Sequence, residues 1–271
     1  MRDILGQDCE KIKDKKLFLF DMDGTIYNEN ELIDGTLELL DTIKNIGGRS
    51  VFITNNSSKS VNDYIGKLRT MKIDVGEEDF FTSAQATIVY LKNNFPNKKV
   101  YCMGTKSLLE ELCRDGIDVT EEVEDNVDVV LVGFDTELTS LKLRKTCELL
   151  TRDVAYIATN VDLVCPVSFG FVPDCGAVCE MLAHATGKKP VFIGKPEPTM
   201  VEYVMSKFNY SKQKTMVIGD RLYTDIASGV NANVSVACVL SGESSLDDVE
   251  KSDIKPTYLF NSVKDIFDIL K

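Results

Sequence analysis

Tryptophan is absent from this 271-residue sequence, and histidine occurs once, at His184. A Ser–His–Asp or Cys–His mechanism would have to pass through that single imidazole. His184 stands in CEMLAHATGKK, near the expected end of a helix, with no nucleophile pattern beside it, so an exposed or capping role is expected. Basic side chains are also scarce: 31 Lys and Arg against 43 Asp and Glu give a formal charge of −12. A nucleic-acid polymer is an unsuitable partner for such a chain, because phosphate backbones require basic patches. No apolar run approaches the roughly 20 residues of a membrane span. The opening MRDILGQDCEKIKDKK is too charged for a signal peptide. The expectation is therefore a cytoplasmic protein with no membrane partner. A small anion is compatible with the acidic excess only where the local field inverts the global one.

What is present fits a globular protein. The 44% hydrophobic and 27% charged fractions exclude a disordered or collagen-like chain. The length allows one large or two modest domains with a real core. Eight cysteines, at 9, 102, 113, 147, 165, 175, 179 and 238, are scattered in a chain without an export signal. Reduced structural thiols are expected. Cys175 and Cys179 have helical spacing but lack the second pair of ligands that a zinc site needs.

Short apolar runs alternate with amphipathic stretches, the pattern of β/α units around a mostly parallel sheet. Strands are expected at Lys16–Phe20, Arg49–Ile53, Val191–Ile193, Met216–Ile218 and Val234–Val239, with helices at Leu32–Ile46 and Ser60–Met71. A second α/β block lies between these groups. It carries helices at Ala84–Asn94 and Ala177–Ala185 and strands at Val100–Met103 and Val127–Val132. In open parallel sheets ligands bind beyond the carboxyl ends of the strands. Four such ends carry chemically useful residues: Asp21 and Asp23, Thr54 and Asn55, Lys195, and Asp220 with Asp225.

Each cluster suggests one part of a reaction. In DMDGTIY, Asp21 and Asp23 point the same way in an extended segment, because side chains alternate there. A carboxylate at the end of an apolar strand is costly without a cation. In ITNNSS the Thr54 hydroxyl and successive N–H groups leading into a helix can cradle a phosphate; a plain Ser/Asn helix cap is the competing reading. In GKPEP two prolines fix the direction of the turn around Lys195. In GDRLYTDI, Asp220 and Asp225 suit an oxygen-ligated hard cation such as Mg²⁺. A nucleophile, an acid/base, a phosphate clamp, a fixed cation and a metal cradle are the requirements of phosphoryl transfer.

With these motifs in this order, the sequence resembles the haloacid dehalogenase (HAD) superfamily of phosphohydrolases. The forms DMDGTIY, ITNNSS, GKPEP and GDRLYTDI look like its NagD / 4-nitrophenylphosphatase-like subfamily. The resemblance implies an α/β fold: a Rossmann-like core with a parallel sheet and an inserted α/β cap of the C2 type. Little chain separates the first motif from the second strand, whereas about 140 residues lie between Thr54 and Lys195, far beyond the roughly dozen of a βαβ crossover. The expected division is a discontinuous core of 1–83 and 187–271 around a cap of 84–186, a lid that excludes water.

The resemblance also implies roles. Asp21 would attack phosphorus and form an aspartyl-phosphate, and Asp23 would serve as acid and then base. Thr54, Asn55 and Asn56 would bind phosphoryl oxygens, and Lys195 would neutralise charge. Mg²⁺ would be held by Asp21, the Asp23 backbone carbonyl and Asp220, with Asp225 behind them. The cap segment Ala158–Ala177 resembles the lid loop of this subfamily, which makes Asn160, Asp162 and Asp174 candidates for substrate contact. Expected substrates are small phosphorylated metabolites such as sugar phosphates, nucleoside monophosphates, phosphoglycolate or pyridoxal phosphate. A homodimer through the lid is common in relatives. A dehalogenase would need neither the second carboxylate nor a metal, and a phosphomutase generally carries its lid just after the first motif. A phospho-ligand sensor without catalysis is the reading of a different class.

Overall fold

The computed structural model describes residues 1–167 and 169–271. They form two compact units, one of 1–54, 65–81 and 195–271 and one of 55–64 and 82–194.

The first unit begins with β1 (Leu17–Phe20), four apolar residues that are all buried. A near-continuous apolar run is what a strand covered on both faces requires. A small hairpin of β2 (Tyr27–Asn28) and β3 (Glu31–Leu32) follows, then α1 (Thr36–Asn45), β4 (Arg49–Thr54), α2 (Val61–Thr70) and β5 (Phe80–Thr82). The expected helix from Leu32 thus starts four residues later, because Glu31–Leu32 pairs with Tyr27–Asn28.

The chain then builds the second unit. Its elements are α3 (Ser83–Asn94), β6 (Val100–Met103), α4 (Lys106–Arg114), β7 (Val119–Thr120), β8 (Val129–Val132), α5 (Ser140–Leu150) and β9 (Ala155–Ala158). They are followed by a hairpin of β10 (Val164–Val167) and β11 (Gly170–Pro173), then α6 (Cys175–Thr186) and β12 (Val191–Phe192). Five of these strands make a parallel sheet in the order β12-β9-β8-β6-β7. Its core packs Tyr101, Met103 and Val132 with Leu149, Cys179 and Leu182 from α5 and α6.

The return to the first unit adds α7 (Thr199–Phe208), β13 (Thr215–Gly219), α8 (Ala227–Asn231), β14 (Ser235–Val239), α9 (Leu246–Lys251), β15 (Tyr258–Phe260) and α10 (Val263–Leu270). The six-stranded sheet runs β15-β14-β13-β1-β4-β5, parallel from β15 to β4. Phe20, Phe52 and Phe80 pack across β1, β4 and β5 with ring centroids 6.2 and 5.5 Å apart. The chain leaves the central β1 toward β4 on one side and returns through β13 on the other. That reversal opens the crevice where α/β sheets bind ligands.

The two compact units and the expected division differ at their edges. Residues 187–194 go with the second unit rather than the core, because Val191 and Phe192 pair with Ile157 and Ala158 of β9. Residues 55–64 also count with the second unit, where the Asn55 carbonyl accepts from Ser83 Oγ and Asn160 Nδ2. All eight cysteines are free thiols. His184 lies on the exposed side of α6 near its end. No helix among the described residues is long and apolar enough to cross a membrane.

Candidate active site

Three strand ends of the first unit converge on one buried ammonium. Lys195 is 2% exposed, and its Nζ donates to Asp21 Oδ1 and Asp225 Oδ1, both at 2.6 Å, and to the Ile53 carbonyl at 3.3 Å. Asp21 follows β1 and is tied by its N–H to the Ile218 carbonyl of β13. Ile53 lies in β4, one residue before Thr54, which is buried at the strand's end. Asp225 sits on a π-helical turn, Leu222–Ile226, an element that is frequent at functional sites. Its Oδ2 accepts from the Arg221 N–H at 3.1 Å, and its backbone carbonyl accepts from Ser228 Oγ.

Asp220, at the end of β13, completes the cluster. Its Oδ2 accepts from the Glu243 N–H at 2.7 Å, whereas its buried Oδ1 has no hydrogen-bond partner. Two glycines make room for it. A Cβ on Gly24 would lie 2.5 Å from Asp220 Oδ2, and one on Gly242 only 2.1 Å. Gly24 also has φ +82°, in the left-handed region that favours glycine. Asp21, Asp220 and Asp225 each offer a carboxylate oxygen within 4.8 Å of the others. Among the described residues, no other group of three or more His, Cys, Asp or Glu converges in this way.

Two carboxylates contact one ammonium and a third lies beside them, and the electrostatics follow from that imbalance. Burial pushes the Asp21 carboxyl well above its ordinary value; the Asp225 charge adds to this, and Lys195 offsets only part of it. Burial likewise raises Asp220, to about 7, with Asp225 adding and the Glu243 N–H opposing. Burial works against the charge of Lys195, but Asp21 and Asp225 outweigh it and hold the ammonium above its usual range. The cluster lacks positive charge, and Asp220 Oδ1 lacks a partner. A hard divalent cation answers both deficits.

Asp23 is placed differently. Its side chain is 54% exposed, with Lys67 Nζ 3.8 Å from Oδ1. The Tyr27 hydroxyl donates to Oδ2 at 3.2 Å. Neither Tyr27 nor Lys67 stood out in the sequence. Tyr27 could have been found from its place at the end of DMDGTIY, but Lys67 lies on a helix among other charged residues and carries no local signal.

Asn55, Asn56 and the three cap candidates belong to the second unit. Asn56 Oδ1 accepts from the Ser58 N–H and Oγ, forming a local turn. Asn160 is fully buried; Nδ2 donates to the Asn55 carbonyl at 2.8 Å and Oδ1 accepts from the Asp162 N–H. Asp174 is the N-cap of α6, with Oδ1 accepting from the Cys175 N–H. Asp162 is 4% exposed, and its carbonyl accepts from the Gly176 N–H. All three candidates are thus buried, and the side chains of Asn160 and Asp174 hydrogen-bond to backbone. Ser57, also missed, is buried: its Oγ accepts from the Phe134 N–H and shares a hydrogen bond with Thr159 Oγ1.

Comparison with known proteins shows the family. A family model described as haloacid dehalogenase-like hydrolase matches residues 18–118, and one described as HAD-hydrolase-like matches residues 192–266. An acid sugar phosphatase of Staphylococcus saprophyticus is 33% identical over 96% of this chain and 98% of its own. The chain belongs to the haloacid dehalogenase-like hydrolases. The solved 4-nitrophenylphosphatase of Thermotoga maritima superposes with a TM-score of 0.92 at 37% identity, over 96% of this chain and 99% of that one. NagD of Escherichia coli K-12 gives 0.84 at 32% identity, over 92% and 97%. Within the family this chain is NagD-like, and it is a phosphoric monoester hydrolase.

Proposed function

We propose that this HAD hydrolase is a magnesium-dependent phosphatase of small phosphomonoesters, sugar phosphates among them, that transfers the phosphoryl group to Asp21 before releasing it to water. The observation that carries this reading is the Asp21–Lys195–Asp225 contact beside Asp220 Oδ1, a buried carboxylate oxygen with no hydrogen-bond partner. Asp21 and Asp220, with the backbone carbonyl of Asp23, would hold the Mg²⁺. When bound, the metal neutralises phosphate charge and polarises the phosphoryl oxygens.

The chain's own residues divide the remaining work. Lys195 fixes the Asp21 carboxylate by a 2.6 Å bond, which keeps the nucleophile in one orientation. Asp225 holds Lys195 from its other side. Thr54 and the backbone at Asn55 and Asn56 bind phosphoryl oxygens. An Asp21 oxygen forms the new bond to phosphorus as the ester P–O bond breaks. The electron pair stays on the leaving oxygen, which takes a proton from Asp23. The same carboxylate then removes a proton from the water that cleaves the aspartyl-phosphate. Asn160, Asp162 and Asp174 would influence substrate choice, Asn160 and Asp174 through the backbone they hold.

The test is phosphate release from 4-nitrophenyl phosphate and a panel of sugar phosphates, nucleoside monophosphates, phosphoglycolate and pyridoxal phosphate. Turnover should require Mg²⁺, and Asp21→Asn should lower it by at least about 10³-fold. Unchanged turnover in Asp21→Asn would refute the nucleophile. Similar kcat/KM across the panel is expected; a preference above about a hundredfold for one compound, roughly 2.7 kcal/mol, would overturn broad specificity.

A further inference from the structure

We propose that Lys67 and Tyr27 form a positioning pair that holds the Asp23 carboxyl for proton transfer to the leaving group. The inference rests on the reading of Asp23 as acid and base given above. A half-exposed carboxylate at a strand end is free to sample several rotamers, whereas a proton donor acts only within hydrogen-bond reach of the reacting oxygen. Asp23 is instead gripped at both oxygens. The Tyr27 hydroxyl lies 3.2 Å from Oδ2, and Lys67 Nζ lies 3.8 Å from Oδ1.

The two gripping groups also hold each other. Lys67 Nζ stands 3.7 Å from the centroid of the Tyr27 ring, over its face, a cation–π contact. Tyr27 is fully buried, its carbonyl accepts from the Gly24 N–H at 2.8 Å, and its backbone bridges to Asp23. The ring is thereby fixed to the turn that carries the acid. Lys67 comes from α2 and is only 23% exposed. An ion pair at 3.8 Å with a half-exposed partner contributes little to stability. Its effect is the orientation of Asp23, and the arrangement is a closed triangle of carboxylate, ring and ammonium.

Leaving-group dependence separates positioning from plain structural support. 4-Nitrophenolate departs readily without a proton, whereas the alkoxide of a sugar or glycerol phosphate does not. The experiment measures kcat/KM of the Mg²⁺-loaded enzyme, which reports the steps up to the first irreversible one, for 4-nitrophenyl phosphate and for glycerol phosphate. The variants are Lys67→Met, Tyr27→Phe, Lys67→Arg and Asp23→Asn. Lys67→Met and Tyr27→Phe are expected to lower the glycerol phosphate value by about tenfold or more, a fraction of the 10²–10⁴ of general acid catalysis. They should lower the 4-nitrophenyl phosphate value less than about threefold, and Lys67→Arg should restore most of the loss. Equal losses on both substrates, or no loss, would overturn the pair. Asp23→Asn keeps the two readings apart. If it is selective against glycerol phosphate while Lys67→Met and Tyr27→Phe are not, only the pair fails; if it is not selective, the acid role of Asp23 fails.

Discussion

Replacing Lys195 by Met removes the ammonium that contacts both Asp21 and Asp225. Lys195 and Asp225 are 2% and 1% exposed, so solvent cannot take over the missing charge. Breaking a buried pair by removing one partner typically costs about 3–5 kcal/mol, because an uncompensated charge is left behind. That is the expected loss for Lys195→Met in metal-free protein. Asp225→Asn added to Lys195→Met removes one stranded carboxylate while keeping an oxygen that can accept from the Arg221 N–H. The double variant should therefore lose less stability than the sum of the two single losses, by at least about 1.5 kcal/mol of coupling between contacting residues. Urea denaturation in EDTA at pH 7.5, followed by circular dichroism, measures all four corners of the cycle. Additive losses in the double variant would refute the argument, since they would mean that Lys195 contributes packing rather than charge balance.

Three further outcomes follow from the same physics. Glu111, on α4 and 3% exposed, has a buried Oε1 without a hydrogen bond; burial raises its carboxyl to about 7, with Arg114 opposing and Asp115 adding. A carboxyl raised above its unfolded value contributes stability that is present below pH about 4.5 and is lost as pH rises through about 7, here up to about 3 kcal/mol. Glu111→Gln should flatten that decline between pH 5 and 8 in chemical denaturation; an unchanged slope would contradict it. Asp220, also raised to about 7, has the same sign in metal-free protein, with up to about 4 kcal/mol lost between pH about 4 and 7. Excess Mg²⁺ should raise the melting temperature more at pH 8 than at pH 5, and this difference should shrink in Asp220→Asn; an equal response at both pH values would count against the cradle. Gly242→Ala would push a Cβ to 2.1 Å from Asp220 Oδ2, so it should cost about 1–3 kcal/mol and weaken activation by Mg²⁺. Wild-type Mg²⁺ dependence in that variant would show that Asp220 can move freely.

The parts of the site legible in the sequence are those where chemistry and a strand end coincide. LFLF before Asp21, VFIT ending at Thr54 and MVIG before Asp220 are apolar runs that stop at a polar residue, and the structure makes β1, β4 and β13 of them. Partnership was not legible. VFI at 191–193 reads as another core strand, yet Val191 and Phe192 pair with β9, because local apolarity says nothing about which edge a strand joins. Asn160 and Asp174 look like exposed loop residues because polar side chains usually are; their burial depends on backbone partners at Asn55 and Cys175, one of them more than a hundred residues away. The Glu243 N–H on Asp220 and the Lys67 ammonium beside Asp23 are likewise contacts between distant segments. Eight scattered cysteines, by contrast, read correctly as thiols.

The central claim is that Asp21 carries the phosphoryl group during turnover. The most direct measurement is acid quenching of wild-type enzyme and Asp21→Asn a few milliseconds after mixing with Mg²⁺ and a phosphomonoester, followed by peptide mass spectrometry. The account predicts a phosphoryl adduct on the peptide containing Asp21 in the wild type, sensitive to hydroxylamine, and none in Asp21→Asn. An adduct on another residue, or full turnover by Asp21→Asn, would contradict it.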